Sequence, residues 1–300
     1  MSERFLAIVN PAAGGRRCGK LARAALDDLR RQGVEIEVKA TSAQGDATQI
    51  ARECYRQGMR NFIAVGGDGT SYEIVNGLFP EALAGERPAI GFLPLGTGNS
   101  FLKDFTSNGA SAAASAIVSG TRHRCDVMRL SHAAGEIYYI NLLTLGFPAD
   151  VATTTNRNFK GLGEAGYILG VLVRLAQLKR RAFPHRLDSA SGVDRRRCLF
   201  LSFNNSRFTG GKMMIAPKAA ADDGLLEYVR WGPIGRLGLL KNFPTLFDGT
   251  HINHPLASRA AVREVEFLLD GPVNVMIDGE DLELDLRKIE VLPGALDVFA

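Results

Sequence analysis

Three hundred residues, 46% hydrophobic and 23% charged, make an ordinary soluble composition. They are enough to bury a large core, and two domains are the expectation from length. A net charge of +4 is too weak to argue for nucleic acid and is compatible with attraction to an anionic membrane surface. The four scattered cysteines include no CxxC, "MSERFLAIVN" contains no signal-peptide core, and no run of about 18 apolar residues is present to span a bilayer. The expectation is a cytoplasmic chain with free thiols.

The first third repeats one unit. "FLAIVN" (5–10) reads as a buried strand, and "CGKLARAALDDLRRQG" (18–33) has helical spacing, with Leu21, Ala25 and Leu29 on one face. "VEIEVKA" is the next strand. "GDATQIARECYRQG" is the next helix, with Asp46 as N-cap and Gly58 as C-cap. "FIAV", "VGGDGTSYEIVNGLF" and "AIGFLPLG" follow. Strands alternating with helices at this spacing predict a doubly wound parallel sheet, an α/β N-terminal domain. "NGASAAASAIVSG" reads as a small helix.

The pattern changes near Cys125. "CDVMRL" and "EIYYINLLTLGF" alternate or run apolar without helices between them, and 167–180 is the one long helical stretch. The later segments, from "RRCLFLSFNN" to "LELDLRKIEVLPGALDVFA", read as short strands. The domains are therefore expected at 1–124 and 125–286, the second β-rich, antiparallel and sandwich-like, with 287–300 free to return to the first.

Glycine-rich corners punctuate the first domain at "VNPAAGG" (9–15), "GGDGT" (66–70) and "PLGTGN" (94–99). Glycine lets backbone N–H groups approach a ligand closely, and a helix starting at the corner adds a dipole that favours phosphate. The last two corners follow buried strands, at the carboxyl edge where doubly wound sheets bind ligands. A dinucleotide fingerprint is disfavoured. Tyr72 and Phe101 stand where it needs small residues, and Lys39 and Thr41 stand where it needs an acid. "GGRRCGKL" (14–21) misses a P-loop at Leu21, which has no hydroxyl for magnesium. Asp68, a carboxylate among donors aimed at an anion, implies a bridging cation such as Mg²⁺, or else a cap on the helix from Thr70.

"NPAAGG", "GGDGT", "PLGTGN", "LGFPADV", "APKAAADDGLLE" and "DGE" (278–280) occur in this order over nearly the whole chain. The ordered set resembles the diacylglycerol kinase catalytic family, which includes bacterial lipid kinases and sphingosine and ceramide kinases. "GGDGT" alone also fits NAD kinases and phosphofructokinases. The resemblance implies an ATP- and Mg²⁺-dependent kinase that phosphorylates a lipid hydroxyl, with ATP across the cleft between domains. It implies nucleotide contacts from Asn10, Thr41, Gly66, Gly67, Asp68, Gly69, Thr70 and Thr97. It also implies a metal site at Asp223, with the Ala220 and Leu225 carbonyls assisting, and a general base in "DGE". Asp278 is favoured as the base, with Glu280 close behind. Asp278 follows a strand-like run and precedes a glycine, which is also a hairpin-turn signal.

Many bacterial members carry an aspartate where this chain has Ser100, so the network around Asp68 is expected to differ, with Asp104 as a candidate substitute and a lean toward a sphingoid acceptor. The chain is expected to be peripheral to the inner face of a membrane. Either Ile168, Leu169, Leu172 and Leu175 touch lipid and Lys179, Arg180 and Arg181 meet anionic head groups, or this helix packs on the second domain with its basic end solvated. A homodimer is left open. The rival functions are a soluble NAD-kinase-like enzyme and a non-catalytic lipid or nucleotide sensor.

Overall fold

The computed structural model describes residues 3–96, 99–106, 109–159, 163–188, 192–210 and 212–300, the side chains of 163–168 excepted. Thr97 and the Ile168 side chain therefore lie outside the described residues. In the first half β1 (Arg4–Val9), α1 (Arg17–Arg31), β2 (Glu35–Ala40), α2 (Asp46–Arg56), β3 (Asn61–Gly66), α3 (Asp68–Leu78), β4 (Ala89–Pro94) and α4 (Gly109–Ser119) alternate. The strands are parallel in the order β2-β1-β3-β4.

Period-two alternation covers both faces of this sheet. Leu6 and Ile8 of β1 pack toward Ala47, Ala51, Ile74 and Val75 of α2 and α3. Phe5, Ala7 and Val9 pack toward Cys18, Ala22 and Leu26 of α1 and toward Ala116 and Ile117 of α4. Two local expectations are corrected. The buried stripe of α1 is Cys18, Ala22, Leu26 and Leu29, and Leu21 is exposed, because neighbouring positions point about 100° apart around a helix. Asp46 does not cap α2. Its carboxylate turns back to Ser42 N (2.7 Å), Ser42 Oγ (2.6 Å) and Ala43 N (2.9 Å). Glu73 of α3 takes the opening amides of α2 instead, at Gly45 N (3.0 Å) and Ala47 N (3.1 Å).

The second half contains β5 (Arg122–His132), β6 (Gly135–Tyr139), β7 (Leu142–Gly146), α5 (Phe147–Asn158) and α6 (Gly163–Ala176). It continues with β8 (Arg181–Ala182), β9 (His185–Leu187), β10 (Arg197–Cys198), β11 (Phe200–Asn204), β12 (Phe208–Thr209), β13 (Met213–Met214) and β14 (Leu226–Trp231). Last come α7 (Arg236–Asn242), α8 (Thr245–Asp248), β15 (Ala257–Val262), β16 (Glu264–Phe267), β17 (Val273–Ile277), β18 (Glu280–Leu284) and β19 (Leu286–Phe299). Strands β15-β14-β11-β7-β17-β18 form a six-stranded antiparallel sheet. One face packs on β5, β6, β16 and β19, as Leu143, Phe203 and Val275 meet Met128, Tyr139 and Ile289. Helices cover the other face, with Phe200 and Trp231 against Leu239 and Leu246.

The change of pattern at residue 125 falls inside β5. Strand β19 runs antiparallel to β5, shifts register between Leu292 and Leu296, and ends with Asp297–Phe299 parallel to β4. One nine-stranded sheet thus passes through both halves.

Helix α5 was not foreseen, because its threonines and Val151 resemble strand residues. Gly146, at φ 89°, ends β7, and Pro148 sits in the first turn of α5, where a missing N–H costs nothing. Helix α6 ends at Ala176 rather than Arg180. Arg181 ion-pairs with Asp150 of α5, so it is not a free head-group ligand. All four cysteines are buried and unpaired, and no described helix is long and apolar enough to cross a membrane.

Candidate active site

The three glycine corners converge. A Cβ on Gly96 would lie 2.7 Å from Gly67 N and Cα, and one on Gly14 would lie 2.9 Å from the Leu95 oxygen. Gly96 N donates to Gly66 O at 2.8 Å. Glycine at 14, 67 and 96 therefore lets three backbone turns rest on one another at the carboxyl edge of the sheet. The hydroxyl of buried Thr70 sits over Gly66, and among the described residues it has no hydrogen-bond partner.

Gly67 is the extended N-cap of α3, and Asp68 is its first residue, so Asp68 does not cap the helix. Its carboxylate accepts from Ser100 N, 3.2 Å to Oδ1 and 3.3 Å to Oδ2. Burial pushes the Asp68 carboxyl up to about 6, and hydrogen bonds from the Ser100 amide and hydroxyl partly offset this. Ser100 thus adds donors beside Asp68 at the position where the resemblance led to the expectation of an acid. Asp104 does not substitute for that acid. Its carboxylate ion-pairs with Arg207 and accepts from Arg207 N at 2.9 Å.

The "DGE" segment is both a turn and a site. Asp278 and Gly279 are the two-residue loop of the β17–β18 hairpin, and both have positive φ, 48° and 91°. The turn points the Asp278 side chain inward. It is 3% exposed and accepts from Ile140 N (3.0 Å), Asn141 N (3.1 Å) and Leu142 N (2.8 Å). Burial raises its carboxyl to about 7. The three amides oppose that rise, and the charge of nearby Asp68 adds to it. The same hairpin sets Glu280 over the start of α3, where a Cβ on Gly69 would lie 2.6 Å from Glu280 Oε1. Burial first, then the Asp278 and Glu280 charges, push up the Tyr72 hydroxyl.

Between the halves lies a cleft of about 720 Å³, lined from the first by Asn10, Thr41, Gly69 and Thr70 and from the second by Asn156, Gly279, Glu280 and Asp281. That size suits a small organic ligand. Asn10, Thr41, Gly69, Thr70 and Glu280 line the cleft itself, Gly66 and Gly67 form the corner behind Asp68, and Asp278 lies buried beneath Glu280's turn.

Asp223 lies apart from this set. It is exposed, and its Oδ1 accepts from Leu225 N at 2.9 Å. Burial raises the carboxyl of Asp126, the Gly294 and Gly224 amides oppose that rise, and the Asp223 and Asp222 charges add to it. Asp126 accepts from Gly224 N and Gly294 N, each at 2.7 Å. Among the described residues no group of three His, Cys, Asp or Glu is placed to hold a metal ion. The oxygen donors of Asp68 suit magnesium only if a bound phosphate completes its shell.

Sequence reasoning missed the residues that hold these groups in place. The Asn205 side-chain amide donates to Ile140 O (2.8 Å) and Asp126 O (2.9 Å), and its backbone N donates to Asn141 O (2.8 Å). It thereby fixes the segment whose N–H groups face Asp278. Asn76 of α3 exchanges two hydrogen bonds with the Tyr138 backbone, at 2.8 and 2.9 Å, joining the C-terminal end of α3 to β6. The paired asparagines that end the apolar run "LFLSFNN" were the available signal.

Residues 4–130 match the family described as diacylglycerol kinase catalytic domain, and residues 141–300 match the YegS C-terminal NAD kinase beta sandwich-like domain. The chain belongs to this lipid kinase family. It is 32% identical to a "Probable lipid kinase YegS-like" protein of Pseudomonas fluorescens (strain Pf0-1), over 99% of this chain and 94% of that one. It is 29% identical to a "Diacylglycerol kinase" of Mycobacterium tuberculosis (strain CDC 1551 / Oshkosh), with the same two coverages. A solved diacylglycerol kinase structure from Bacillus anthracis str. Sterne shares the fold, with a TM-score of 0.69 at 20% identity over 99% of this chain and 96% of that one. Family membership makes the chain a kinase, and kinase chemistry implies ATP.

Proposed function

We propose that this kinase transfers the γ-phosphate of ATP to the hydroxyl of a membrane lipid, with diacylglycerol as the first candidate acceptor. The observation that carries this reading is the approach of two buried carboxylates, Asp68 from the first domain and Asp278 from the second, behind the wall of the interdomain cleft, where a Cβ on Gly279 would lie 3.9 Å from the Asp68 Cβ. Thr70, Gly69, Asn10 and Thr41 would hold the nucleotide, helped by the N-terminus of α3. Magnesium would be held by Asp68 together with the phosphates, and when bound it neutralises charge on the transferring group. Asp223, with the Ala220 and Leu225 carbonyls, remains a separate candidate metal site outside the cleft.

Phosphoryl transfer needs positioning and charge neutralisation more than covalent help. Asp278 accepts the lipid hydroxyl proton, at a carboxyl whose raised affinity for protons suits a general base near neutral pH. Glu280, at the cleft wall, orients the acceptor or is the base in its place. The similarity to a relative named diacylglycerol kinase supports diacylglycerol. Ser100 supports a sphingoid acceptor as a second reading. Labelled ATP with diacylglycerol, ceramide, sphingosine and phosphatidylglycerol in mixed micelles separates these readings. Labelled phosphatidic acid is the expected product. Turnover of a water-soluble acceptor alone, or none at all, would remove the lipid assignment.

A further inference from the structure

We infer that α7 and α8 form a docking surface for an anionic lipid bilayer. Leu237 is 83% exposed and Leu240 57% exposed, on the same side of α7 at i and i+3. Phe243 and Phe247 extend the apolar surface into α8, also exposed, with their rings in edge contact at 5.6 Å. Leu239 and Leu246 point the other way and anchor both helices on Trp231 and Phe200. The short helices are thus held from beneath, while four large apolar side chains face outward. Soluble surfaces scatter such residues singly, and a cluster marks an interaction site.

The rim decides between occupants. Lys241 stands in the last turn of α7. Arg236 donates to the Leu175 and Ala176 carbonyls, closing the end of α6. A shallow groove of about 460 Å³ lies between Arg180 and Leu237. The only acid from residue 233 to 248 is Asp248, and its carboxylate bonds Thr250. Apolar side chains inside a basic rim fit acyl chains beneath anionic head groups. A second copy docked through this same patch would set two basic rims against each other.

Leu169 and Leu172 of α6 are exposed as well, whereas Leu175 packs inward, and Arg236 ties the end of α6 to α7. Helix α6 packs on α5, with Gly170 against Thr155, and α5 supplies Asn156 to the cleft. The surface therefore connects by two packed helices to the active site. The proposal rests on the lipid-kinase reading only for its purpose; its binding is measured separately.

The test is co-sedimentation of the full chain with vesicles of phosphatidylcholine, with and without phosphatidylglycerol. The wild type should bind the anionic vesicles. Leu237→Ser with Leu240→Ser should weaken that binding about tenfold or more. Lys241→Glu should weaken it about fivefold on anionic vesicles and leave the neutral ones unchanged. Failure of the wild type to bind, or equal binding by the leucine variant, would overturn the proposal. So would a change from dimer to monomer in light scattering with vesicle binding intact, since the patch would then join two copies. Phosphorylation of a short-chain diacylglycerol dispersed in water, measured alongside, reports on the acceptor assignment independently of docking.

Discussion

Replacing Asp278 with asparagine tests the site most directly. The carboxylate accepts three backbone N–H groups, two at Oδ1 and one at Oδ2. An amide can keep the two bonds at its oxygen, but its NH₂ then faces the third donor. One buried N–H left unpaired costs about 1–3 kcal/mol. The opposing term is the penalty on the ionised form. A carboxyl raised from 3.8 to about 7 carries an order of 4 kcal/mol against ionisation. Because the folded value is raised, this contribution to stability is full below about pH 4 and is lost as pH climbs through about 7. The variant lacks that loss. Denaturant unfolding should therefore find Asp278→Asn gaining stability relative to wild type as pH climbs from about 4 to about 8, with any deficit largest at about pH 4. Catalysis should fall about 10²- to 10⁴-fold, about 3–5 kcal/mol on the barrier, with nucleotide binding retained. A folded Asp278→Asn enzyme within about threefold of wild-type turnover would refute Asp278 as the base. A stability gap independent of pH would refute the raised carboxyl.

Glu280→Gln should reduce turnover less than Asp278→Asn does in the same micelle assay; the reverse order would move the base to Glu280. Because burial raises both Asp68 and Asp278, to about 6 and about 7, kcat/KM should rise with pH through the range of about 6 to 7 and flatten above it, and a flat profile would remove both carboxylates from the free enzyme's titration. Gly96→Ala should lose about 1–3 kcal/mol in thermal or denaturant unfolding, because its Cβ meets Gly67 backbone that cannot swing aside. Gly69→Ala meets only the flexible end of Glu280, so it should leave stability nearly intact while lowering activity.

The alternating fold of the first domain was legible because both periodicities are local: apolar strands 6 residues long, helices of 11 to 15, and glycine at each corner. "DGE" was legible as a turn and, through the resemblance, as a site. The structure shows no conflict between the two readings, since the positive φ at Asp278 that makes the turn also drives the carboxylate inward. Helix α5 was not legible, because threonine-rich stretches fit either state and packing chooses between them. The partners of the site were not legible either. The Ser100 amide reaches Asp68 across 32 residues of chain, and the Ile140–Leu142 amides reach Asp278 across as many as 138. By itself the chain determined the strands, helices and glycine turns of the first domain, because those choices depend on neighbours a few residues away. Only the tertiary structure decided that two acids 210 positions apart share one buried, water-poor corner. Their proton affinities follow from that shared desolvation and repulsion, which no local pattern encodes.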